Sequence, residues 1–219
     1  MERMMRRQVN IEEISDGKLY GVNDLVKADC QDCKGCSACC HGMGESIVLD
    51  PLDAYRLSKG LGKPFQELIG TAVELNPVDG LILPNLRMKG SSERCTFLNE
   101  EGRCSIHAFR PGICRLFPLG RLYEDGTFKY FLQVNECTNK QRSKIKVKKW
   151  IDEPNIQKHE MFISHWHYYL KQYQIKEGEL LQEELAKKAS MHILTEFYFK
   201  PYDTDADFYE QYWNRTFDI

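Results

Sequence analysis

Nine cysteines in 219 residues carry most of the chemistry this chain could do. Five of them crowd one stretch, Cys30-Gln-Asp-Cys33-Lys-Gly-Cys36-Ser-Ala-Cys39-Cys40. Four stand at successive two-residue gaps, and the fifth is adjacent to the fourth. A Cys-x-x-Cys turn reverses the chain while backbone N–H groups point at the sulfurs, so two thiolates can share a metal. One such pair also serves redox motifs, whereas three overlapping pairs argue for metal. Three cysteines at two-residue gaps match the front of a bacterial ferredoxin run, but Met43 follows and no Cys-Pro closes it. Neighbouring side chains diverge by roughly 100° on a helix. Cys39 and Cys40 therefore serve two sites, or one is a ligand and the other packs or supports it.

The second set is Cys95, Cys104, Cys114 and Cys137. Cys95 and Cys104 fall on opposite arms of an expected hairpin around Glu100-Glu101-Gly102, so they can meet across it. Cys114 follows a Pro-Gly turn and Cys137 follows the next hairpin. A single Cys-x-x-Cys pair cannot complete four-coordination, so the two sets are expected to converge.

Cys33-x2-Cys36-x2-Cys39-Cys40, Cys95-x-Phe97-Leu98, Gly102-Arg103-Cys104-Ser105-Ile106 and Arg110-Pro-Gly-Ile-Cys114-Arg115-Leu-Phe-Pro118, with a late Cys137, resemble the YkgJ-type cysteine-cluster family. That family is also described as CxxCxxCC zinc- or iron-chelating proteins and as iron–sulfur-cluster-containing proteins. The resemblance spans roughly Asp29 to Cys137. It implies eight metal-ligating cysteines: Cys33, Cys36, Cys39, Cys40, Cys95, Cys104, Cys114 and Cys137. Cys30 lies outside the motif and is either an additional metal ligand or a bystander. His107 stands where the family often has tyrosine and is not carried over as a ligand. The resemblance supplies a metal but no reaction.

Charge balance gives an independent check. Four thiolates around Zn²⁺ or a [4Fe–4S]²⁺ core leave a net charge of about −2, which calls for N–H donors or cations around it. Arg94, Arg103, Arg110 and Arg115 each lie within a few residues of a cysteine; Arg103, Arg110 and Arg115 are the supporting cations expected from sequence. His165-Trp166-His167 cannot point both imidazoles the same way on a helix. His41, next to Cys40, is a minor substitute ligand.

Several classes are excluded. The formal net charge of −2 argues against a basic nucleic-acid binder. The basic run Lys140 to Lys149 alternates with apolar residues and reads as a solvated strand face. The mean hydropathy is −0.52, and no apolar run reaches the roughly 18 residues of a membrane span. The basic start lacks an apolar core behind it, so no secretory signal is expected. A cytoplasmic, reducing location follows, where clustered thiols bind metal more often than they form disulfides. No dinucleotide, phosphate-loop, nucleophile-elbow or zinc-protease motif occurs, so the enzyme question stays open with catalytic residues unknown. A methyltransferase association or a metal-delivery role are the rival readings, with a protein partner in the second case.

The elements that must position these residues divide the chain in two. Residues 1–150 form a cysteine-cluster metal-binding module (motif core 30–137), and 151–219 form a helical C-terminal extension. Ser46 to Asp50 reads as a short strand. Pro51 to Lys59 reads as a helix with Asp50 as cap and Gly60 as stop. Lys63 to Leu75 reads as a second helix and Leu81 to Met88 as a strand that Pro84 marks as an edge or an irregular one. Gly120 to Glu124 and Thr127 to Val134 flank Asp125-Gly126, a strong hairpin signal. Beyond Trp150 the apolar period becomes 3.6, over roughly Asn155–Gln174 and Glu177–Phe199, with a short helix over Asp205–Trp213. Trp166, Tyr169, Leu185 and Phe197 should be buried, and Glu177, Glu183, Lys187 and Lys188 exposed. The fold class is α+β: a cysteine-rich module of short strands and helices with a helical extension. Its cofactor is an iron–sulfur cluster, [4Fe–4S] favoured, or Zn²⁺.

Overall fold

The computed structural model describes residues 11–31, 36–139, 141–173 and 182–217. Cys33, Glu177 and the Glu183 side chain lie outside the described set. A short helix α1 (Ile11–Ile14) leads into strands β1 (Ser15–Tyr20) and β2 (Leu25–Asp29). Helix α2 (Pro51–Leu61) follows, then β3 (Val73–Val78), β4 (Leu81–Leu86), β5 (Met88–Lys89) and β6 (Arg94–Cys95). Helix α3 (Gly112–Leu116) precedes β7 (Leu119–Glu124), β8 (Thr127–Gln133) and β9 (Ser143–Lys146). The chain ends in helices α4 (Val147–Ile151), α5 (Ile156–Lys171), α6 (Gln182–Leu194), a π-helical turn Thr195–Phe199, and α7 (Phe208–Phe217). The strands form a three-stranded antiparallel sheet in the order β1-β8-β7 and three two-stranded pairs, β2-β9, β3-β4 and β5-β6. This is an α+β fold.

Local chemistry accounts for several of these elements. Asp50 caps α2 by accepting from Asp53 N at 2.9 Å, and Asp53 returns the bond to Asp50 N at 3.2 Å, with Pro51 in the first helical position. The β7–β8 hairpin turns at Asp125 (φ 50) and Gly126 (φ 76), a two-residue loop whose positive φ values match the strand twist.

Other expectations are corrected. Helix α2 does not stop at Gly60 but runs to Leu61 and ends on Gly62 at φ 64. Gly60 is needed inside the helix, because a Cβ there would stand 2.5 Å from ring atoms of Phe109. The expected helix over Lys63–Leu75 is only a 3-10 turn at Phe65–Leu68, after which Gly70 (φ 78) breaks the run and β3 begins. Asp79 (φ 49) and Gly80 (φ 84) close β3 against β4 in a tight hairpin, pairing Val78 with Leu81. That Asp-Gly pair outweighs the helical spacing. Ser46–Asp50 is extended, with Leu49 N donating to Pro84 O at 2.8 Å and Leu86 N to Ile47 O at 2.9 Å. Strand β4 is thereby bonded on both sides, to β3 and to this stretch, so Pro84 does not lie at an edge; the strand is instead irregular, broken between Leu86 and Met88.

One hydrophobic core runs from Val26 and Leu49 through Leu81, Ile106 and Trp150 to Phe162, Phe197 and Tyr212. The C-terminal helices contribute to it directly: Tyr198 donates its hydroxyl to Leu49 O at 2.8 Å, and Ser190 accepts from Ile82 N at 2.9 Å. Trp166, Tyr169 and Phe197 are buried, and Lys187 and Lys188 are exposed. Leu185 is the exception at 61 % exposed, because on α6 burial begins only at Ala189.

Candidate metal centre

Main-chain pairing carries the first cysteines to the second set. After Ser37 the chain makes one 3-10 turn, Ala38–Cys40, in which Cys40 N donates to Ser37 O at 2.8 Å. His41 then forms an antiparallel bridge with Arg94, and Gly42 N donates to Glu93 O at 3.1 Å. In that register Cys40 falls opposite Cys95. Cys95 itself pairs with Met88 across β5–β6. The expected hairpin around residues 100–102 is present as a tight loop: Asn99 N donates to Arg103 O and Ser105 N to Phe97 O, both at 2.8 Å, and Leu98 bridges Cys104. Cys114 arrives separately, in the middle of α3.

The thiols of Cys39, Cys40, Cys95, Cys104 and Cys114 act on one another electrostatically. The Cys40 S–H donates to Cys39, which draws Cys39 down to about 7, and Arg110 adds to the effect. The same bond pushes Cys40 up. Loss of water pushes Cys95, Cys104 and, most strongly, Cys114 upward, and their neighbours' charges add to it. Thiols held this way deprotonate when a cation takes the place of their protons. Five soft sulfur donors brought together from three stretches of chain fit zinc, iron or an iron–sulfur cluster better than a hard cation. Among the described residues, no three Cys, His, Asp or Glu side chains are closed to the spacing of a single bound ion.

The remaining cysteines fall as follows. Cys36 is half-buried two residues before the 3-10 turn; Cys30 is buried just past β2, and Cys137 is buried beyond the end of β8. The arginines divide into two groups. Arg110 lowers the thiols of Cys39 and Cys104, and Arg103 also lowers Cys104. Arg94 instead binds Leu98 O at 2.9 Å and Asn99 O at 2.5 Å, and Arg115 binds Ala108 O at 2.5 Å and Arg110 O at 3.3 Å. These two brace the loops that carry Cys104 and Cys114. His41 points Nδ1 at Ser37 O, 3.1 Å away, and Arg110 Nη1 meets His107 Nε2.

Sequence reasoning missed Asp53. It is 1 % exposed and accepts from Gly112 N at 2.7 Å, two residues before Cys114. An aspartate three residues after a capping aspartate was the available signal, but it announces a helix start and nothing further.

An α+β fold that gathers thiols from distant stretches in this way offers soft donors of the kind that suit zinc or iron. The chain belongs to the CxxCxxCC family, described as a zinc- or iron-chelating domain, whose model matches residues 32–144. No curated protein and no solved structure matches it. Among the described residues no helix is long and apolar enough to cross a membrane.

Proposed function

We propose that this chain holds an iron–sulfur centre, [4Fe–4S] in preference to zinc, in a structural or redox role. The ligands are drawn from Cys33, Cys36, Cys39, Cys40, Cys95, Cys104, Cys114 and Cys137, with Arg103 and Arg110 offsetting the negative charge and Arg115 bracing the Cys114 loop. The observation that carries the reading is the main-chain pairing that sets Cys40 opposite Cys95 and holds Cys104 against Leu98, within the stretch that matches the family. A zinc ion and a [4Fe–4S] cluster each take four thiolates, so the preference for the cluster rests on the two-residue gaps at the front, which are those of cluster-binding loops. When bound, such a cluster supplies one-electron chemistry or simply folding free energy. Residues 1–150 form the metal-bearing module. The extension over 151–219 covers it and keeps water and oxidants from the thiols. A reducing, cytoplasmic setting suits free thiols of this number.

Anaerobic purification followed by iron, zinc and acid-labile sulfide analysis tests the reading. Iron and sulfide in equal amounts, about four of each per chain, are expected for one cluster. Zinc without sulfide replaces the cluster with a zinc centre, and a chain free of both metals overturns the proposal. Metal that exchanges readily into a chelator redirects the role toward delivery to a partner.

A further inference from the structure

We propose that Asp53 is the positioning residue of the metal centre: its bond to Gly112 N aims Cys114 at the other thiols. The inference rests on the metal reading above and adds a residue outside the cysteine motif.

The four other gathered thiols need no such help. Cys39 and Cys40 share one turn, Cys40 and Cys95 are brought opposite each other by the His41–Arg94 bridge, and Cys104 is fixed by its bridge with Leu98. Cys114 lies instead in a five-residue helix, Gly112–Leu116. Its far end is held by Trp150 Nε1, which donates to Leu116 O at 3.2 Å. Its near end is held by Asp53, which reaches across 59 residues to accept from Gly112 N at 2.7 Å. With one end released, a single helical turn can rotate, and rotation by a fraction of a turn carries the Cys114 sulfur off the group.

Asp53 is poorly explained as a helix cap alone. Capping α2 occupies only Oδ2, on Asp50 N at 3.2 Å, while Oδ1 serves Gly112. A carboxyl group 1 % exposed is costly to bury unless its oxygens are bonded, and burial, then the neighbouring Asp50, pushes its pKa well above the usual carboxylate range. A residue chosen for the electrostatics of thiolates would not be acidic. Geometry accounts for it. Behind Asp53, Arg56 carries the compensating charge and is paired in turn with Glu153, at the head of the C-terminal helices. The aim of Cys114 is thereby coupled to the docking of the extension.

The test compares wild type with Asp53→Asn and Asp53→Leu, all purified anaerobically. Asparagine keeps an oxygen that accepts from Gly112 N; leucine keeps none. Two readouts are taken: the rate of metal loss to a chelator, and the alkylation rate of Cys114 relative to Cys104 in metal-free protein, read by mass spectrometry. Phe208→Leu, in the core and remote from the thiols in sequence, serves as a destabilised reference. We expect Asp53→Leu to lose metal at least tenfold faster than wild type and to expose Cys114 selectively, with Asp53→Asn within threefold on both measures. Equal losses in the asparagine and leucine variants would mean charge rather than the bond matters, and would overturn the inference. So would an unchanged Asp53→Leu, or a Phe208→Leu variant that matches it. A wild-type chain without metal overturns the metal reading instead, and the relative alkylation of Cys114 still decides whether Asp53 holds the turn.

Discussion

Arg56 and Glu153 meet in a two-point ion pair, Nη1 to Oε1 at 2.7 Å and Nη2 to Oε2 at 2.5 Å, that joins α2 to the segment entering α5. The Glu153 side chain is 1 % exposed and that of Arg56 16 %. Removing one partner of a buried pair leaves a charge without compensation, which costs about 3–5 kcal/mol, whereas replacing both by apolar groups is often neutral. Glu153→Gln should therefore destabilise by about 3 kcal/mol, the lower end because Arg56 also faces Asp50 and Asp53. The double variant Arg56→Met/Glu153→Leu should recover only part of it, because it also removes the charge that faces Asp50 and Asp53. Denaturant unfolding of the two variants beside wild type checks this; a glutamine variant within 1 kcal/mol of wild type, on a scale where about 3 is expected, would sink it.

Gly60 and Phe109 make a second test. Alanine in a helix interior is ordinarily better than glycine by about 1 kcal/mol. Here the added Cβ meets the Phe109 ring at 2.5 Å, and overpacking of this kind costs about 1–3 kcal/mol. Gly60→Ala should thus be destabilising, and Gly60→Ala/Phe109→Leu should restore stability. Phe109 lies between Cys104 and Cys114, so metal retention should fall with the single variant and return with the double. A stabilising Gly60→Ala would show that the ring moves aside freely.

His159 gives the protein an acid-sensitive core. It is 1 % exposed, and burial first, then the charges of Arg121, Arg56 and Arg115, lower it from 6.5 to about 2. The folded chain keeps the ring neutral while the unfolded chain takes up a proton below pH 6.5. Its stability contribution is therefore intact above that value and is lost as pH falls toward 2. By pH 5 the loss is about 2 kcal/mol relative to pH 7. His165 and His167 are lowered too, so the informative quantity is the difference between wild type and His159→Phe. Thermal or urea unfolding at pH 5 and 7 should show a flatter dependence in the variant by that amount; parallel curves would remove His159 as the cause.

The C-terminal helices should be stabilising where they are buried and indifferent where they are not. Phe197 is fully buried against Trp166, Tyr169 and Tyr212, so Phe197→Ala should cost about 3–5 kcal/mol. Tyr198→Phe removes the bond to Leu49 O and should cost about 1 kcal/mol. Leu185 and Met191 are 61 % and 62 % exposed, and lysine at either should stay within about 0.5 kcal/mol of wild type. Differential scanning calorimetry ranks the four, and any other order contradicts the packing described above.

Where a residue's role is set by its near neighbours in the chain, the sequence determined it. Asp50-Pro51 starts a helix and Asp125-Gly126 turns a hairpin because caps and tight turns are built from bonds a few residues long. The two-residue cysteine gaps and the 3.6 period after Trp150 are legible for the same reason. The Lys63–Leu75 stretch shows where that logic yields. Its apolar spacing fits a helix, yet the Asp79-Gly80 turn and the ladder that pairs Val73 with Leu86 make its last three residues strand. Backbone bonding to a partner strand outweighs weak local preference. Strands β1, β2 and β9 find partners far along the chain, and no local pattern names which partner. The same holds at the metal centre. Spacing marked Cys33 to Cys40 as candidate ligands, but the placing of Cys40 opposite Cys95, and of Arg110 rather than Arg94 toward the thiols, came from strand register and loop closure. Asp53 shows the division within one side chain: Oδ2 caps its own helix, as the sequence implies, while Oδ1 binds Gly112, a partner that only the packing of α2 against α3 brings within reach.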